Sequence, residues 1–104
     1  MDINNVTVIG AGTMGNGIAH VFAQFGFHVT LNDVQPEFVE RGIQTISGNL
    51  VRQVKKNILT EQQKNQTLER ISQNTNLEEA VRRADIVIEA ATENKTIKKQ
   101  IFQT

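Results

Sequence analysis

The chain has 104 residues, with eleven Lys and Arg balanced by eleven Asp and Glu, two His and no Cys. That length is filled by one domain at about 100 to 200 residues each, and zero formal charge argues against the broad positive field that nonspecific nucleic-acid or anionic-membrane binding requires. The lack of Cys excludes a disulfide framework, a thiolate nucleophile and thiolate-held zinc, and two His leave little for an imidazole site, so no metal is expected.

Met1 to Asn5 has no basic stretch leading into an apolar run, and no apolar stretch approaches the ~20 residues of a membrane helix, so a cytoplasmic protein with no membrane partner is expected. Val6, Val8 and Ile9 form a β-branched run ended by Gly10, too short for a helix and apolar enough for a buried parallel strand. From Met14, the apolar Ile18, Val21, Phe22 and Phe25 recur at three- and four-residue steps before Gly26, which predicts a helix of about three turns. Val29-Thr30-Leu31 reads as a second strand, closed by Asn32, Asp33 and Pro36. Pro36 then opens a long helix whose apolar face is Val39, Ile43, Ile46, Leu50, Val54 and Ile58. Gly42 and Gly48 inside it cost roughly 1 kcal/mol each relative to Ala. Residues 60–72 fit a solvated helix joined to the core by its last turn, with Leu68 and Ile71 as its apolar residues. Ile71 to Thr75 reads as a weak strand, Leu77 to Ala84 as a short helix, and Asp85 to Ala90 as a buried strand. Asn94 to Thr104 predicts a helix, with Ile97 and Ile101 four apart and no stop signal before the last residue. A hydrophobic fraction of 38% with five Phe and no Trp or Tyr allows only a modest core.

Alternating strands and helices imply an open, mostly parallel sheet with right-handed crossovers, in which ligands sit beyond the carboxyl ends of the strands. At the end of the first strand stands Gly10-Ala11-Gly12-Thr13-Met14-Gly15, a G-x-G-x-x-G run that opens a helix. Gly10 permits the tight turn, Gly12 removes the Cβ that would block a pyrophosphate, and Gly15 lets the helix pack closely on the strand. The N–H groups at that helix start face the phosphates, aided by the helix dipole. Asp33 closes the second strand 18 residues beyond Gly15, where a carboxylate can accept from both adenosine ribose hydroxyls. The same carboxylate repels a 2′-phosphate, and Val34 and Gln35 supply no Arg to hold one, so the expected cofactor is NAD rather than NADP.

The stretch VIGAGTMGNGIAHVFAQFGFHV, followed by LNDVQPEFVERG, resembles the start of the 3-hydroxyacyl-CoA dehydrogenase family, and most closely its short-chain 3-hydroxybutyryl-CoA members. ADIVIEAATENKTIKKQIF is similar to that family's fourth strand and following helix, with Glu89-Ala90-Ala91-Thr92-Glu93-Asn94 as its E-A-x-x-E-N signature. The resemblance implies that residues 1–104 are an NAD-binding, Rossmann-like α/β domain, doubly wound, mostly parallel and incomplete at its C-terminal end, with the family's helical domain lying beyond. It implies an oxidoreductase of fatty-acid metabolism that interconverts 3-hydroxybutyryl-CoA and acetoacetyl-CoA. The expected partners are a short-chain acyl-CoA and, through the C-terminal domain, further copies of the same protein. The alternatives are a noncatalytic NAD-binding module or another β-hydroxyacid dehydrogenase.

Residue by residue, Glu93 and Lys98 match positions that contact NAD near the nicotinamide, and Ala90 matches a backbone contact at the strand end. Read by itself, Lys98 is either a solvated helix lysine or a group reaching toward the cofactor or Glu93. Asn49, Arg52 and Lys56 fall at i, i+3 and i+7, a polar face that could hold phosphates or simply be wet. Asn49 and Lys56 match two positions that contact the CoA portion of the substrate, the first being more typically Ser. His20 and His28 lie beside no carboxylate, and the family's catalytic His and its orienting Glu come from a later segment. No catalytic residue is therefore assigned, and the chain alone is expected to be inactive. An open strand edge at residues 85–90 further predicts self-association.

Overall fold

Strand β1 (Asn5–Ile9) places Val6 and Val8 on one face and Thr7 on the other, the alternation of extended chain, and all three are buried. The computed structural model describes residues 3–90 and a strand at 98–100. After β1 come α1 (Thr13–Gln24), β2 (His28–Asn32), α2 (Pro36–Lys55), α3 (Glu61–Glu69), β3 (Ile71–Asn74), α4 (Leu77–Arg82), β4 (Ile86–Glu89) and β5 (Lys98–Gln100). The sheet runs β3-β2-β1-β4-β5, and its first four strands are parallel. The chain thus winds outward from β1 to β3 and then returns across β1 to β4, the doubly wound α/β arrangement anticipated from the alternation of elements. Its direction switches between β1 and β4, where such sheets open a crevice at their carboxyl ends.

The core lies between that sheet and the helices. Val6, Val8, Val29 and Leu31 meet Ala19 and Ala23 of α1 and Val39, Ile46 and Leu50 of α2. On the opposite face the buried Thr7 hydroxyl donates to the Ala80 carbonyl at 2.8 Å, which fixes the short α4 against the sheet. No helix among the described residues is long and apolar enough to cross a membrane.

Helix ends follow backbone chemistry. Gly26, at φ 104°, ends α1: its N–H donates to Ala23 O and that of Phe27 to Phe22 O, both at 3.1 Å. Asn57, at φ 62°, ends α2 in the same way, with Asn57 N–H to Val54 O at 3.0 Å and Ile58 N–H to Gln53 O at 2.9 Å. This corrects the expectation that Ile58 continues the apolar face. The left-handed turn at Asn57 carries Ile58 out of the helix and leaves it 60% exposed. The polar stretch begins as a helix through a capping box, Thr60 with Gln63. Its buried anchor includes Thr67, whose hydroxyl donates back to Gln63 O at 2.8 Å.

A second correction concerns the last segment. Lys98–Gln100 forms β5, antiparallel to β4, instead of part of a helix over 94–104; the remainder of that span lies outside the described residues. The outer edge of β4 is therefore paired, at Val87 with Gln100, Ile88 with Lys99 and Glu89 with Lys98, and not open as the sequence suggested. The physical reason is tertiary. Backbone donors and acceptors along a buried strand demand partners, and that demand overrides the four-residue apolar spacing from which a helix was inferred.

Asp85 ties the two ends of this sheet region together. Its carboxylate accepts from the N–H groups of Asn4 and Asn5, both at 2.9 Å, and these bonds hold its pKa below the ordinary carboxylate value. A depressed folded-state pKa gives stability that is present above the unfolded-state pKa and is lost as pH falls through the lower folded value. Urea midpoints of the parent should thus decline on acidification below the ordinary Asp range. Asp85→Asn should lower the midpoint at neutral pH and flatten that decline; an identical acid limb in both proteins would refute the assignment.

Candidate functional site

The carboxyl ends of the four parallel strands are joined by backbone bonds into one edge. Gly10 N–H donates to Asn32 O and Ala90 N–H to Ile9 O, each at 2.8 Å, and Asp33 N–H donates to Asn74 O at 3.2 Å. Gly10, Asp33 and Ala90, distant in sequence, thereby become neighbours. The Asn32 side chain, buried at the end of β2, donates to the carbonyl and the side-chain oxygen of Asn74 at 3.2 and 3.1 Å, which fixes the same edge toward β3.

Each glycine of the turn meets a different requirement. Gly10 sits at φ 100°, a conformation that L side chains rarely adopt. A Cβ on Gly15 would lie 1.6 Å from the Gly10 carbonyl oxygen, so α1 approaches β1 as only Gly permits. Gly12, the N-cap of α1 at φ −70° and ψ −167°, is exposed, and a Cβ there would meet nothing within 4 Å. Among the described residues, no protein atom fills the space above it. Among the described residues no side chain caps α1, and its first turn contains no acidic residue, so the N–H groups of Thr13, Met14 and Gly15 have no side-chain acceptor there. With the partial positive charge of the helix end, they form a donor set for an anion.

Asp33 stands beside this turn. Its Oδ2 accepts from Ala11 N–H at 3.0 Å and its Oδ1 from Gln35 N–H at 3.1 Å. A carboxylate oxygen has two acceptor directions, so each retains one for an external hydroxyl. The bond to Ala11 also couples the acid to the glycine turn, a link that spacing alone does not reveal.

A cleft of about 330 Å³ opens between the glycine turn and α2, lined by Ala11, Gly12, Thr13 and Asn16 on one side and by Phe38, Arg41, Gly42 and Thr45 on the other. Gly42 explains the closeness of the two walls: a Cβ there would lie 3.1 Å from Ala11 O and from Leu31 Cδ2. Sequence reasoning counted Gly42 only as a helix cost and overlooked Asn16, Phe38, Arg41 and Thr45. A Gly within an otherwise periodic helix, next to an Arg, was the one available signal of close packing there.

Asn49 and Lys56 lie farther along α2, on the face shared with Arg41 and Thr45. Asn49 is half-buried and accepts a hydrogen bond from Arg52, and Lys56 is exposed at the helix C-cap. The stripe thus runs from the cleft to the end of the helix. Lys98 is in strand register with Glu89 on β5, and Glu93 lies outside the described residues. His20 Nε2 lies 2.8 Å from Gln24 Oε1 and 3.2 Å from Gln53 Oε1, joining α1 to α2, while His28 is exposed at the amino end of β2. Neither is at the carboxyl edge.

Residues 5–104 match the family model described as the NAD binding domain of 3-hydroxyacyl-CoA dehydrogenase. The chain is 49% identical over 100 residues to 3-hydroxybutyryl-CoA dehydrogenase of Bradyrhizobium diazoefficiens, spanning 96% of this chain and 34% of that protein. It is 43% identical over 104 residues to a probable 3-hydroxybutyryl-CoA dehydrogenase of Bacillus subtilis, spanning 100% and 36%. The crystal structure of (S)-3-hydroxybutyryl-CoA dehydrogenase from Ralstonia eutropha superposes with a TM-score of 0.85 at 44% identity, covering 89% of this chain and 32% of that one. The chain therefore spans about a third of the length of the curated relatives it matches.

Proposed function

This chain belongs to the 3-hydroxyacyl-CoA dehydrogenase family, in its NAD-binding domain, and on that premise we propose that its carboxyl edge binds NAD for an oxidoreductase acting on short-chain 3-hydroxyacyl-CoA. The reaction is the interconversion of 3-hydroxybutyryl-CoA and acetoacetyl-CoA. The observation that carries the reading is the open space over the exposed Gly12 N-cap, flanked by an Asp33 carboxylate bonded to Ala11 N–H.

NAD supplies the hydride chemistry at its nicotinamide ring. The chain's own residues bind and orient. Gly12 admits the pyrophosphate to the N–H groups of α1, and Asp33 accepts from the adenosine ribose hydroxyls with the lone pairs left free by Ala11 and Gln35. Ala90 lies at the end of β4, beside the turn, on the path toward the nicotinamide, and Glu93 and Lys98 complete that end by family resemblance. Asn49 and Lys56 serve the CoA portion of the substrate, on the α2 face that continues from the cleft. A cytoplasmic location and assembly as a homo-oligomer complete the proposal.

The test is nucleotide titration followed by NADH fluorescence. The parent should prefer NADH to NADPH, because Asp33 repels a 2′-phosphate. Asp33→Ala should weaken NADH binding by about 1.5 to 3 kcal/mol, the range for charge-assisted bonds. Unchanged NADH affinity in that variant would overturn the role of Asp33.

A further inference from the structure

Asn32 closes β2 immediately before Asp33 and is only 2% exposed. A buried amide demands bonded partners. Its partner is Asn74, the last residue of β3, which stands beside it in the parallel register. Asn32 Nδ2 donates to the Asn74 carbonyl at 3.2 Å and to Asn74 Oδ1 at 3.1 Å. Asn76 N–H also donates to Asn74 Oδ1, at 2.7 Å; a backbone N–H can only donate, so this bond fixes which end of the Asn74 amide is the oxygen.

The same two residues hold the backbone of the acid. Asp33 N–H donates to the Asn74 carbonyl at 3.2 Å, so that carbonyl accepts from the Asp33 backbone and the Asn32 side chain together and has both lone pairs engaged. The Asn32 carbonyl in turn accepts from Gly10 N–H at 2.8 Å. Asn76 extends the chain of bonds, its Oδ1 accepting from Glu79 N–H at 3.0 Å as the N-cap of α4. The glycine turn, the acid, the end of β3 and the start of α4 thus share one neutral network, with the Asn32 side chain as its buried link. Asp33 lies one residue past β2, and a carboxylate that must meet two hydroxyls works only when held within about 0.5 Å of its place.

We propose that the Asn32–Asn74 amide pair positions the Asp33 carboxylate against the ribose, and so sets the preference for a free 2′-hydroxyl over a 2′-phosphate. The inference rests on the reading of Asp33 as the ribose acceptor and adds two positioning residues that act through it. Without Asn74 Oδ1, Asn32 loses one of its two acceptors, the end of β2 gains freedom against β3, and the carboxylate is no longer aligned with both hydroxyls. The loss falls on a ligand that bonds the carboxylate and spares one whose 2′-phosphate the carboxylate repels.

The test titrates NADH and NADPH into the parent chain, Asn74→Ser, Asn74→Asp, Asp33→Ala and the Asn74→Ser, Asp33→Ala double variant. Asn74 is half-buried, and a Ser there still offers a hydroxyl to Asn76 N–H, so the local turn is kept while the reach to Asn32 is lost. Asp keeps an acceptor in the geometry of Asn and is the conservative variant. Circular dichroism checks each protein, and Asn74→Thr, better suited to a strand, replaces the Ser variant if that one does not fold. Asn74→Ser should weaken NADH binding about fivefold without weakening NADPH binding, and should cost nothing further once Asp33 is replaced. Asn74→Asp should retain the parent's preference for NADH. Equal loss of both nucleotides, the same loss with and without Asp33, or a loss in Asn74→Asp as large as in Asn74→Ser would reduce the pair to a structural role and overturn the inference. If Asp33→Ala weakens NADH binding while the Asn74 variants bind as the parent does, only this inference falls. If Asp33→Ala binds NADH as the parent does, the ribose reading falls and takes the inference with it.

Discussion

Gly12→Val is expected to abolish NADH binding while leaving the helix content and urea midpoint close to those of the parent. The backbone at Gly12, φ −70° and ψ −167°, lies in the extended region open to any L residue, and a Cβ there meets no atom of the described residues within 4 Å. The cost to folding is limited to a poorer N-cap, about 1 kcal/mol or less. The cost to binding is far larger, because the branched side chain occupies the space through which a pyrophosphate reaches the α1 N–H groups. Those charge-assisted bonds contribute roughly 1.5 to 3 kcal/mol each, and losing three takes a micromolar ligand to about the millimolar range or beyond. Titration by nucleotide fluorescence, with circular dichroism as the folding control, reads both effects. Parent-like affinity in a folded Val variant would place the phosphate cradle elsewhere.

Gly15→Ala should do the reverse and strongly destabilise the fold. Helix propensity alone favours the substitution by about 1 kcal/mol. Against it, the new Cβ would lie 1.6 Å from Gly10 O and 2.8 Å from Gly10 C, backbone atoms held by the left-handed turn at φ 100°. No rotamer relieves a Cβ clash, so α1 must move away from β1 and uncouple Ala19 and Ala23 from the buried faces of Val6 and Val8. Overpacking of this kind costs roughly 3 kcal/mol or more, which outweighs the propensity gain and removes much of a small domain's stability. Gly48→Ala is the internal control: nothing lies within 4 Å of its Cβ position, and propensity should prevail. A Gly15→Ala midpoint equal to or above the parent's would refute the close approach of α1 to β1.

These two glycines also mark what was legible in the sequence. Gly10, Gly12 and Gly15 announce themselves because a tight turn, an open approach and a close helix crossing each exclude a Cβ, and all three demands fall within six residues of chain. Asp33 was legible for a related reason, since one helix and one strand set its distance from the turn. Strands β1, β2 and β4 appeared as β-branched runs, and α1 appeared as a helical period stopped by Gly26. All of these signals are carried by backbone conformation and nearest neighbours along the chain.

What the tertiary structure alone decided depends on atoms far apart in sequence. The need for glycine at position 42 comes from Ala11 O and Leu31 Cδ2, and only the packing of α2 against the turn converts an apparent helix defect into a wall of the cleft. Asn16 and Arg41 face one cleft because two helices cross there, which neither residue's local pattern encodes. Asn57 ended α2 before Ile58 through a left-handed turn that periodicity could not register. At the far edge of the sheet, the unpaired backbone of β4 drew Lys98–Gln100 into a strand against its own helical spacing. Local sequence thus determined the turn, the acid and the order of elements, because those follow from short-range sterics and hydrogen bonding. Which side chains share the site followed from packing, because long-range contacts are set by the whole sheet and its helices.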